Sequence, residues 1–186
     1  MIQNDPDAEL LPRIAAGDQT AIRQFVALKL PRLLALGVRM LNNRAEAEDV
    51  AQETFIRAWK HAATWQPNGA KFDTWLHRVA LNLCYDKLRA RQEYTDDEIP
   101  EQIDPGLIPE QRLAQTQQGD QVSAALAQLP TRQREALALQ YYQELSNSEA
   151  ATLMNISVDA LESLLSRARR NMRALLLGQG FARGQI

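Results

Sequence analysis

The stretch Asp49–Trp59, DVAQETFIRAW, decides the fold class of this chain. On a helix, one apolar stripe recurs at i, i+4, i+7 and i+8 and is expected to face a core; its members are Ala51, Phe55, Ala58 and Trp59. A second face, at i, i+3, i+4 and i+7, is mostly polar but ends in an aliphatic side chain, and it consists of Asp49, Gln52, Glu53 and Ile56. This mixture is typical of a docking face, although an ordinary amphipathic helix with a solvated face is the alternative.

Composition and length favour a globular all-α protein. The 186 residues suit one large domain or two small ones, and 45% hydrophobic with 24% charged residues is ordinary globular composition. No apolar run approaches the roughly 20 residues of a membrane helix, and the polar, acidic N-terminus does not resemble a signal peptide. The single cysteine, Cys84, has no internal partner for a disulfide, which fits a reducing compartment. We therefore expect a soluble cytoplasmic protein.

Charge is distributed unevenly and indicates two domains on a tether. Residues 1–92 carry 13 Lys and Arg against 10 Asp and Glu, and residues 129–186 carry seven against five, whereas residues 93–128 carry one Arg against eight acids. The acidic block also holds Pro100, Pro105 and Pro109. Proline disfavours helix before it and clustered acids repel one another, so residues 94–109 are predicted to be a flexible acidic linker. The predicted domains are residues 1–93 and 110–186.

The first domain is predicted to contain helices only. A short helix opens at Pro6 or Asp7, and Asp18 caps a second helix that Pro31 restarts or kinks. The apolar face of that second helix is predicted to hold Ala21, Ile22, Phe25 and Leu28. The Asn42–Asn43 pair ends it, residues 44–61 form the docking helix, and residues 72–93 form one long helix after a loop.

The long helix becomes rich in hydrogen-bond donors along its second half. The polar strip there consists of Asn82, Asp86, Lys87, Arg89 and Arg91. Lys and Arg neutralise phosphates and Asn contacts base edges or sugars, so the strip is a candidate nucleic-acid face. Basic residues near a helix C-terminus also complement the helix dipole, and this alternative stays open.

The second domain contains a candidate helix-turn-helix. Thr131 is predicted to cap a helix that buries Ala136, Leu137, Leu139, Gln140 and Tyr141, and Ser146 or Ser148 caps a short helix through Met154. Asn155 takes a left-handed turn position and Ser157 caps the next helix. The outer side of that helix presents Glu162, Ser163, Ser166, Arg167 and Arg170, residue types that approach bases and phosphates when such a helix enters a major groove.

Three motifs in this order resemble an extracytoplasmic-function (ECF) sigma factor of bacterial RNA polymerase, within the sigma-70 superfamily. The matching segments are AEAEDVAQETFIRAW (45–59), FDTWLHRVALN (72–82) with DKLRAR (86–91), and LPTRQREAL (129–137) with the helix-turn-helix through Arg173. The resemblance implies a transcription initiation factor that directs core polymerase to promoters of a stress or envelope regulon, without a cofactor.

The resemblance also implies what each region contacts. The face formed by Asp49, Gln52, Glu53 and Ile56 would bind the coiled-coil clamp of the β′ subunit. The loop from Trp65 to Lys71, with Asn82 and the strip to Arg91, would read the minus-ten element and hold a base flipped out of the melted strand, whose recognition needs stacking surface and positive charge. The linker would enter the polymerase towards the β subunit and the RNA exit channel. Ser157 and the outer side of the last helix would read the minus-thirty-five element, and an anti-sigma factor is the usual further partner.

One segment departs from the family pattern. The recognition helix often begins with Thr-Val-Lys or Thr-Val-Arg, and here it reads Ala160-Leu161-Glu162. A carboxylate does not bind phosphate, but it accepts a hydrogen bond from the amino group of cytosine. The phosphate contact of the family is therefore not carried over to this position.

Chemistry-bearing residues give little support for catalysis or for a metal site. His77 and Cys84 stand about 10 Å apart along one helix, too far to share a metal ion unaided, and no nucleophile–base pair or phosphate loop occurs at useful spacing. We expect Cys84 to be a buried small hydrophobe and the protein not to be an enzyme. Two other functions stay open, a stand-alone helix-turn-helix regulator and a sigma-like decoy that binds only an anti-sigma factor.

Overall fold

The computed structural model describes residues 7, 9–66, 71–95, 113–143 and 145–178, and the described segments contain helices and no strand. The first four helices form the first unit and the last four form the second unit. The helices are α1 (Leu10–Ala15), α2 (Gln19–Leu41), α3 (Arg44–Ala62), α4 (Phe72–Thr95), α5 (Leu113–Gln128), α6 (Thr131–Tyr142), α7 (Asn147–Met154) and α8 (Val158–Gly178). The all-α prediction is confirmed. No helix within these ranges is both long and apolar enough to cross a bilayer.

The pairing of α2 with α3 positions the docking helix. Asp18 caps α2 by accepting hydrogen bonds from the amides of Thr20 and Ala21, as predicted. Asn42 then reverses the chain in the left-handed conformation, at φ 50°, and the Asn43 side chain caps α3. The two helices approach so closely at Gly37 that a Cβ there would lie 2.8 Å from the Cβ of Ala47. Glycine is therefore required at this crossing by the space available.

Three predictions about α2 and α3 are wrong. α2 runs through Pro31 without a restart and is one helix from Gln19 to Leu41. Leu28 is 55% exposed and Trp59 is 37% exposed, whereas both were expected in the core. Trp59 lies at the edge of the apolar stripe and stacks on Phe55, with ring centroids 6.0 Å apart. The other predicted stripe members, Ala51, Phe55 and Ala58, are buried.

A buried ion cluster ties the start of the chain to α2 and α4. Lys29 Nζ lies 2.8 Å from Asp7 Oδ2 and 2.6 Å from Asp73 Oδ1, and Lys29 is only 9% exposed. A buried charge is tolerated when it is paired in this way. The three elements are thereby fixed relative to one another.

The second unit presents a helix-turn-helix. Ser146 caps α7 through a capping box with Glu149, Asn155 is left-handed at φ 54°, and the Ser157 hydroxyl accepts from the amide of Ala160. These predictions are confirmed, with Ser146 rather than Ser148 as the cap. α7 and α8 bury Ala150, Ala151, Met154, Leu161 and Leu165 between them.

Two predictions about α6 are wrong. The helix begins at Thr131 itself after Pro130, and no side chain caps it. Tyr141 is 56% exposed and Gln140 is half-buried, because both turn towards Arg169 of α8 rather than into the core.

The two units pack against each other through α2 and α4 of the first unit and α5, α6 and α7 of the second. Arg134 at the start of α6 donates to the carbonyl of Met40 at the end of α2, over 2.6 Å. Most of the predicted linker lies outside the described residues; its first two residues, Tyr94 and Thr95, continue α4. The fold therefore places two helical units in direct contact on either side of the acidic segment.

Candidate functional site

A groove between α3 and α4 collects the predicted docking residues. Its volume is about 550 Å³, and its lining includes Asp49, Gln52, Glu53, Ile56, Leu83, Asp86 and Lys87. α3 contributes Asp49, Gln52, Glu53 and Ile56, and α4 contributes Leu83, the Asp86 carboxylate and the Lys87 ammonium. Asp49 and Gln52 are exposed, while Ile56 is half-buried. The structure thus joins the four residues of the docking face into one concave surface with an aliphatic floor.

The carboxylates of this groove are held by ion pairs that leave them accessible. Asp49 Oδ2 lies 3.2 Å from Lys87 Nζ, and Glu53 Oε1 lies 2.8 Å from Arg57 Nε. Exposed pairs of this kind contribute about 0–1 kcal/mol to folding. A basic partner could therefore exchange with them at little cost to the stability of the fold.

The polar strip of α4 does not act as one surface. Asp86 and Lys87 line the groove with Asp49, whereas Asn82 is exposed on the side that faces the second unit. Arg91 binds Glu46 and donates to the carbonyl of Leu41 over 2.9 Å, so it also holds the end of α2. Arg89 is exposed beside Asp86, at 3.5 Å. Of the strip, the structure brings only Asn82 to the cleft between the units.

An aromatic pocket lies beside that cleft. It has a volume of about 380 Å³, and its walls include His61, Trp65, Trp75, Arg78 and Thr152. Trp65 stands edge-on to Phe72 with ring centroids 5.0 Å apart and is half-buried, so it packs on the core and still lines the pocket. His61 and Trp75 were not predicted from the sequence to belong here, although a second tryptophan in FDTW, soon after Trp65, is the signal that could have found Trp75.

The second unit covers part of this first-unit surface. Lys71 Nζ lies 2.9 Å from Glu149 Oε1, and Arg78 donates to the Thr152 carbonyl over 3.2 Å. The hydrogen bond to Lys71 holds the pKa of Glu149 down at about 2. α7 therefore engages Lys71, a cation of the minus-ten candidate surface, and the neighbouring Arg78.

A cleft of about 450 Å³ runs between the units next to Asn82. Asn82, Tyr85 and Arg132 contribute to its lining. The Tyr85 hydroxyl donates to the Glu135 carboxylate, which also accepts from Arg132 over 3.0 Å. Burial raises the pKa of Glu135 above its usual value, and burial together with Glu135 raises the pKa of Tyr85 to about 12. Tyr85 therefore stays a protonated donor at neutral pH.

The candidate reading surface of α8 remains open. Ser157, Glu162, Ser163, Ser166, Arg167 and Arg170 are all exposed. Leu161, Leu165 and Ala168 point to the opposite side and are buried. The structure therefore places the six predicted residues on the solvent side, from the cap of this helix to its middle.

Buried polar contacts between the units were not predicted from the sequence. Arg134 donates to three carbonyls, those of Met40, Ala127 and Leu129. Gln143 is 1% exposed; it donates to the Arg32 carbonyl, and its Oε1 lies 3.0 Å from His77 Nε2. No periodic pattern marks a polar residue that is buried only when two units meet. Cys84, by contrast, is buried as predicted, and burial raises its pKa to about 12, so the thiol is not a nucleophile at neutral pH.

Comparison with known families matches both units separately. Residues 25–94 match the model of sigma-70 region 2, and residues 119–172 match that of sigma-70 region 4. The ECF RNA polymerase sigma factor SigW of Bacillus subtilis is 31% identical over 177 residues, which cover 89% of this chain and 94% of SigW. The chain belongs to the ECF sigma factors. It is a transcription initiation factor that directs RNA polymerase to promoters, and a stand-alone regulator is not favoured.

Further relatives and solved structures agree with this family. The RNA polymerase sigma-H factor of Pseudomonas aeruginosa is 31% identical, with 91% of this chain and 93% of that protein covered. The fold matches CnrH in its complex with the cytosolic domain of CnrY, with a TM-score of 0.70, 28% identity and coverage of 92% and 97%. It also matches RpoE of Bartonella quintana in complex with the anti-sigma factor NepR, with a TM-score of 0.66, 27% identity and coverage of 83% and 95%.

Proposed function

We propose that this ECF sigma factor divides its task among three surfaces. The α3–α4 groove binds the β′ clamp of core polymerase through Asp49, Gln52, Glu53 and Ile56. The first unit reads and melts the minus-ten element, and the second unit reads the minus-thirty-five element. The observation that carries the proposal is the groove, because it gathers these four side chains into one accessible concave surface.

The residues proposed for the minus-ten surface are expected to contribute unequally to DNA binding. Trp65 lines the aromatic pocket, Lys71 is paired with Glu149 of α7, and Asn82 lines the adjacent cleft. A flipped base needs a stacking surface and hydrogen-bond donors, both of which meet here. Asp86, Lys87, Arg89 and Arg91 follow along α4 towards the groove and would accompany the melted strand. Lys87 and Arg91 are already paired with Asp49 and Glu46, so we expect them to contribute less than Asn82, which is exposed.

The second unit supplies the complementary reader. Arg167 and Arg170 hold phosphates, while Ser157, Glu162, Ser163 and Ser166 lie near the start of α8, where a recognition helix meets base edges. Each unit has a small excess of positive charge at most, and phosphate neutralisation dominates DNA affinity. Tethering the two readers to one polymerase through residues 94–109 raises their effective concentration at a promoter. We infer that the acidic linker also substitutes for nucleic acid in a basic channel of the polymerase.

Binding to core polymerase tests the groove. The Asp49→Ala/Glu53→Ala double variant should bind purified core about tenfold more weakly or worse, since truncating interface charges typically costs more than about 1.4 kcal/mol. Glu48→Ala is the matched control because Glu48 is exposed on the same helix, forms an i,i+4 pair with Arg44 and lies outside the groove. Equal loss in both variants, or none in the double variant, would contradict the assignment.

Run-off transcription tests the two readers. With core polymerase, this protein and a promoter library, transcripts should depend on the protein and should fall with Asn82→Ala or Arg167→Ala. Replacing the acids of residues 94–109 by Ser or Gln should reduce transcription while both units remain folded. Unchanged transcription in the linker variant would remove the nucleic-acid mimicry from the proposal.

An anti-sigma factor is proposed as a further partner. Two similar structures were solved as complexes, CnrH with the cytosolic domain of CnrY and RpoE with NepR. Co-purification from source cells, followed by competition with core polymerase, tests this. A protein that binds the wild type, inhibits its transcription and is displaced by core would support the assignment. Co-purified proteins without any inhibitory effect would contradict it.

A further inference from the structure

A continuous series of hydrogen bonds crosses the second unit and ends at the recognition helix. Arg169 Nη2 donates to Gln140 Oε1 over 2.9 Å, and Gln140 Nε2 donates to Asn147 Oδ1 over 2.9 Å. Asn147 Nδ2 then donates to Glu162 Oε1 over 3.3 Å. Arg169 is itself held by Tyr141, whose hydroxyl accepts from Arg169 Nε over 2.9 Å. The series joins α6, the first residue of α7 and the start of α8.

The two ends of this series fix the orientation of everything between them. A guanidinium only donates hydrogen bonds, and an ionised carboxylate only accepts them. Each of the two amides therefore satisfies both of its neighbours in one orientation and not in the flipped one. Asn147 consequently presents its NH₂ group to Glu162.

The position of Glu162 makes this restraint relevant to DNA. Glu162 is exposed, one residue after the buried Leu161, in the part of the second helix that meets base edges in helix-turn-helix proteins. A long side chain loses up to about 2 kcal/mol of rotamer entropy when it is immobilised. Because Asn147 already orders the carboxylate, part of that cost is met before DNA binds.

The chemistry of a carboxylate selects one base. In the major groove guanine offers two acceptors and thymine offers an acceptor and a methyl group, and adenine places its N7 acceptor beside its amino donor. Cytosine alone presents its N4 amino donor without an adjacent acceptor. We propose that Glu162, positioned by Asn147, reads a cytosine in the minus-thirty-five element; this rests on the proposed role of α8 as the minus-thirty-five reader.

A second consequence concerns discrimination. In a complex the carboxylate would also repel the phosphates of the DNA, so it would lower affinity for every sequence that offers no donor in return. Glu162 then contributes more to specificity than to affinity. Removing its charge should strengthen binding to non-cognate sequences and weaken the preference at one position.

The test is run-off transcription by the reconstituted holoenzyme from a promoter library randomised across the minus-thirty-five element, with the active templates sequenced. The wild type should enrich cytosine at one position. Glu162→Gln should reduce that preference about tenfold at that position alone, since a good side-chain–base pair discriminates by about 1–3 kcal/mol. Asp159→Asn is the matched control because it removes an exposed acid from the first turn of the same helix without touching the series.

Asn147→Asp tests the positioning residue. The aspartate still accepts from Gln140 and suits the first turn of α7, but it has no donor for Glu162 and repels it. Cytosine preference at the same position should fall by a smaller factor than in Glu162→Gln, and the rest of the selected sequence should stay as in the wild type. A merely structural role of Asn147 would reduce transcription without changing the base preference, and would overturn this part of the inference.

The outcomes separate this inference from the proposed function. A wild type with a clear minus-thirty-five preference that Glu162→Gln leaves unchanged overturns the inference alone. A change spread evenly over all positions, or reproduced by Asp159→Asn, shows that Glu162 acts only as a general charge and also overturns it. A holoenzyme without any minus-thirty-five preference overturns both the role of α8 and the inference.

Discussion

The two surfaces proposed to bind DNA differ in how much of each is accessible. On the first unit, Lys71 and Arg78 are engaged by α7, and Tyr85 by Glu135 of α6. On the second unit, the outer side of α8 is exposed along its first half. The proposed minus-thirty-five surface is therefore free in this arrangement, whereas part of the proposed minus-ten surface, Lys71 above all, is released only when the units separate.

The contacts that cover the first unit are mostly polar and involve distant parts of the sequence. Arg134 reaches α2, Gln143 reaches α2 and α4, and Glu135 reaches α4. Polar contacts of this kind lose little free energy when water replaces the partner, unless one group is left buried and unpaired. Separation of the two units should therefore depend on a few buried polar side chains, which substitutions can rank.

Arg134→Met should have the largest effect on this difference. The substitution removes the donor to three carbonyls, one of which belongs to α2, and should lower the free energy of unfolding by about 3 kcal/mol. Urea unfolding followed by circular dichroism measures this, and small-angle scattering should show a larger radius of gyration. Arg167→Met, on the exposed side of α8, is the control and should stay within about 0.5 kcal/mol of the wild type. Equal stability of the two variants would contradict the role given to Arg134.

Gln143→Leu should have the second-largest effect on the contact between the units. It leaves the Arg32 carbonyl and His77 Nε2 without their partner at a position that is 1% exposed, so we expect a loss of about 1–2 kcal/mol and a more open scattering profile. Gln133→Leu provides the comparison, since Gln133 accepts from Asn171 inside the second unit. That control should cost stability without increasing the radius of gyration. An increase in both variants would show that Gln143 does not act specifically between the units.

Tyr85→Phe should lower the free energy of unfolding by about 1 kcal/mol and should change the way this free energy depends on pH. Burial raises the pKa of Glu135 in the folded protein above its usual 4.5, so its contribution to stability is present below pH 4.5 and is lost as the pH rises through the raised pKa. The Tyr85 hydrogen bond opposes that rise, and its removal should move the loss to higher pH. Unfolding free energies measured across this range test the shift, with Tyr141→Phe as the control. If the two variants gave parallel curves of unfolding free energy against pH, the Tyr85–Glu135 contact would be excluded as the origin of the shift.

The elements that follow from local pattern were predictable from the sequence. The Asp18 cap, the Asn42–Asn43 break, the Asn155 turn and the Ser157 cap each depend on neighbouring residues and were confirmed. The four docking residues also follow from helical spacing alone, since residues three and four apart share a face.

Features that depend on contacts between distant segments were not predictable in the same way. Leu28 and Tyr141 have apolar character and suitable spacing, yet they are exposed, because periodicity does not reveal where a neighbouring helix ends. Lys29, Arg134 and Gln143 are polar and buried, because their partners lie far away in the sequence. Pro31 was expected to restart or kink α2, but the helix continues through it, so packing of the rest of the helix offsets the local cost of about 3 kcal/mol for an interior proline.

Glu149→Gln should have the smallest effect on stability at neutral pH. Its value lies in the direction in which it changes the pH dependence of stability. The pKa of Glu149 is lowered to about 2 by the hydrogen bond from Lys71, so its contribution to stability is present above pH 4.5 and is lost as the pH falls towards 2. The pair is about one-third exposed, and its loss at neutral pH should cost less than about 1 kcal/mol. Glu149→Gln should therefore reduce the acid-induced loss of stability below pH 4.5, while Glu48→Gln, which affects an exposed pair within the first unit, should leave it nearly unchanged. Glu135 and Glu149 both lie where the two units meet, but their contributions to stability change with pH in opposite directions. If the Tyr85→Phe and Glu149→Gln variants shifted the pH dependence of stability in the same way, the separate environments assigned to the two carboxyl groups would be contradicted.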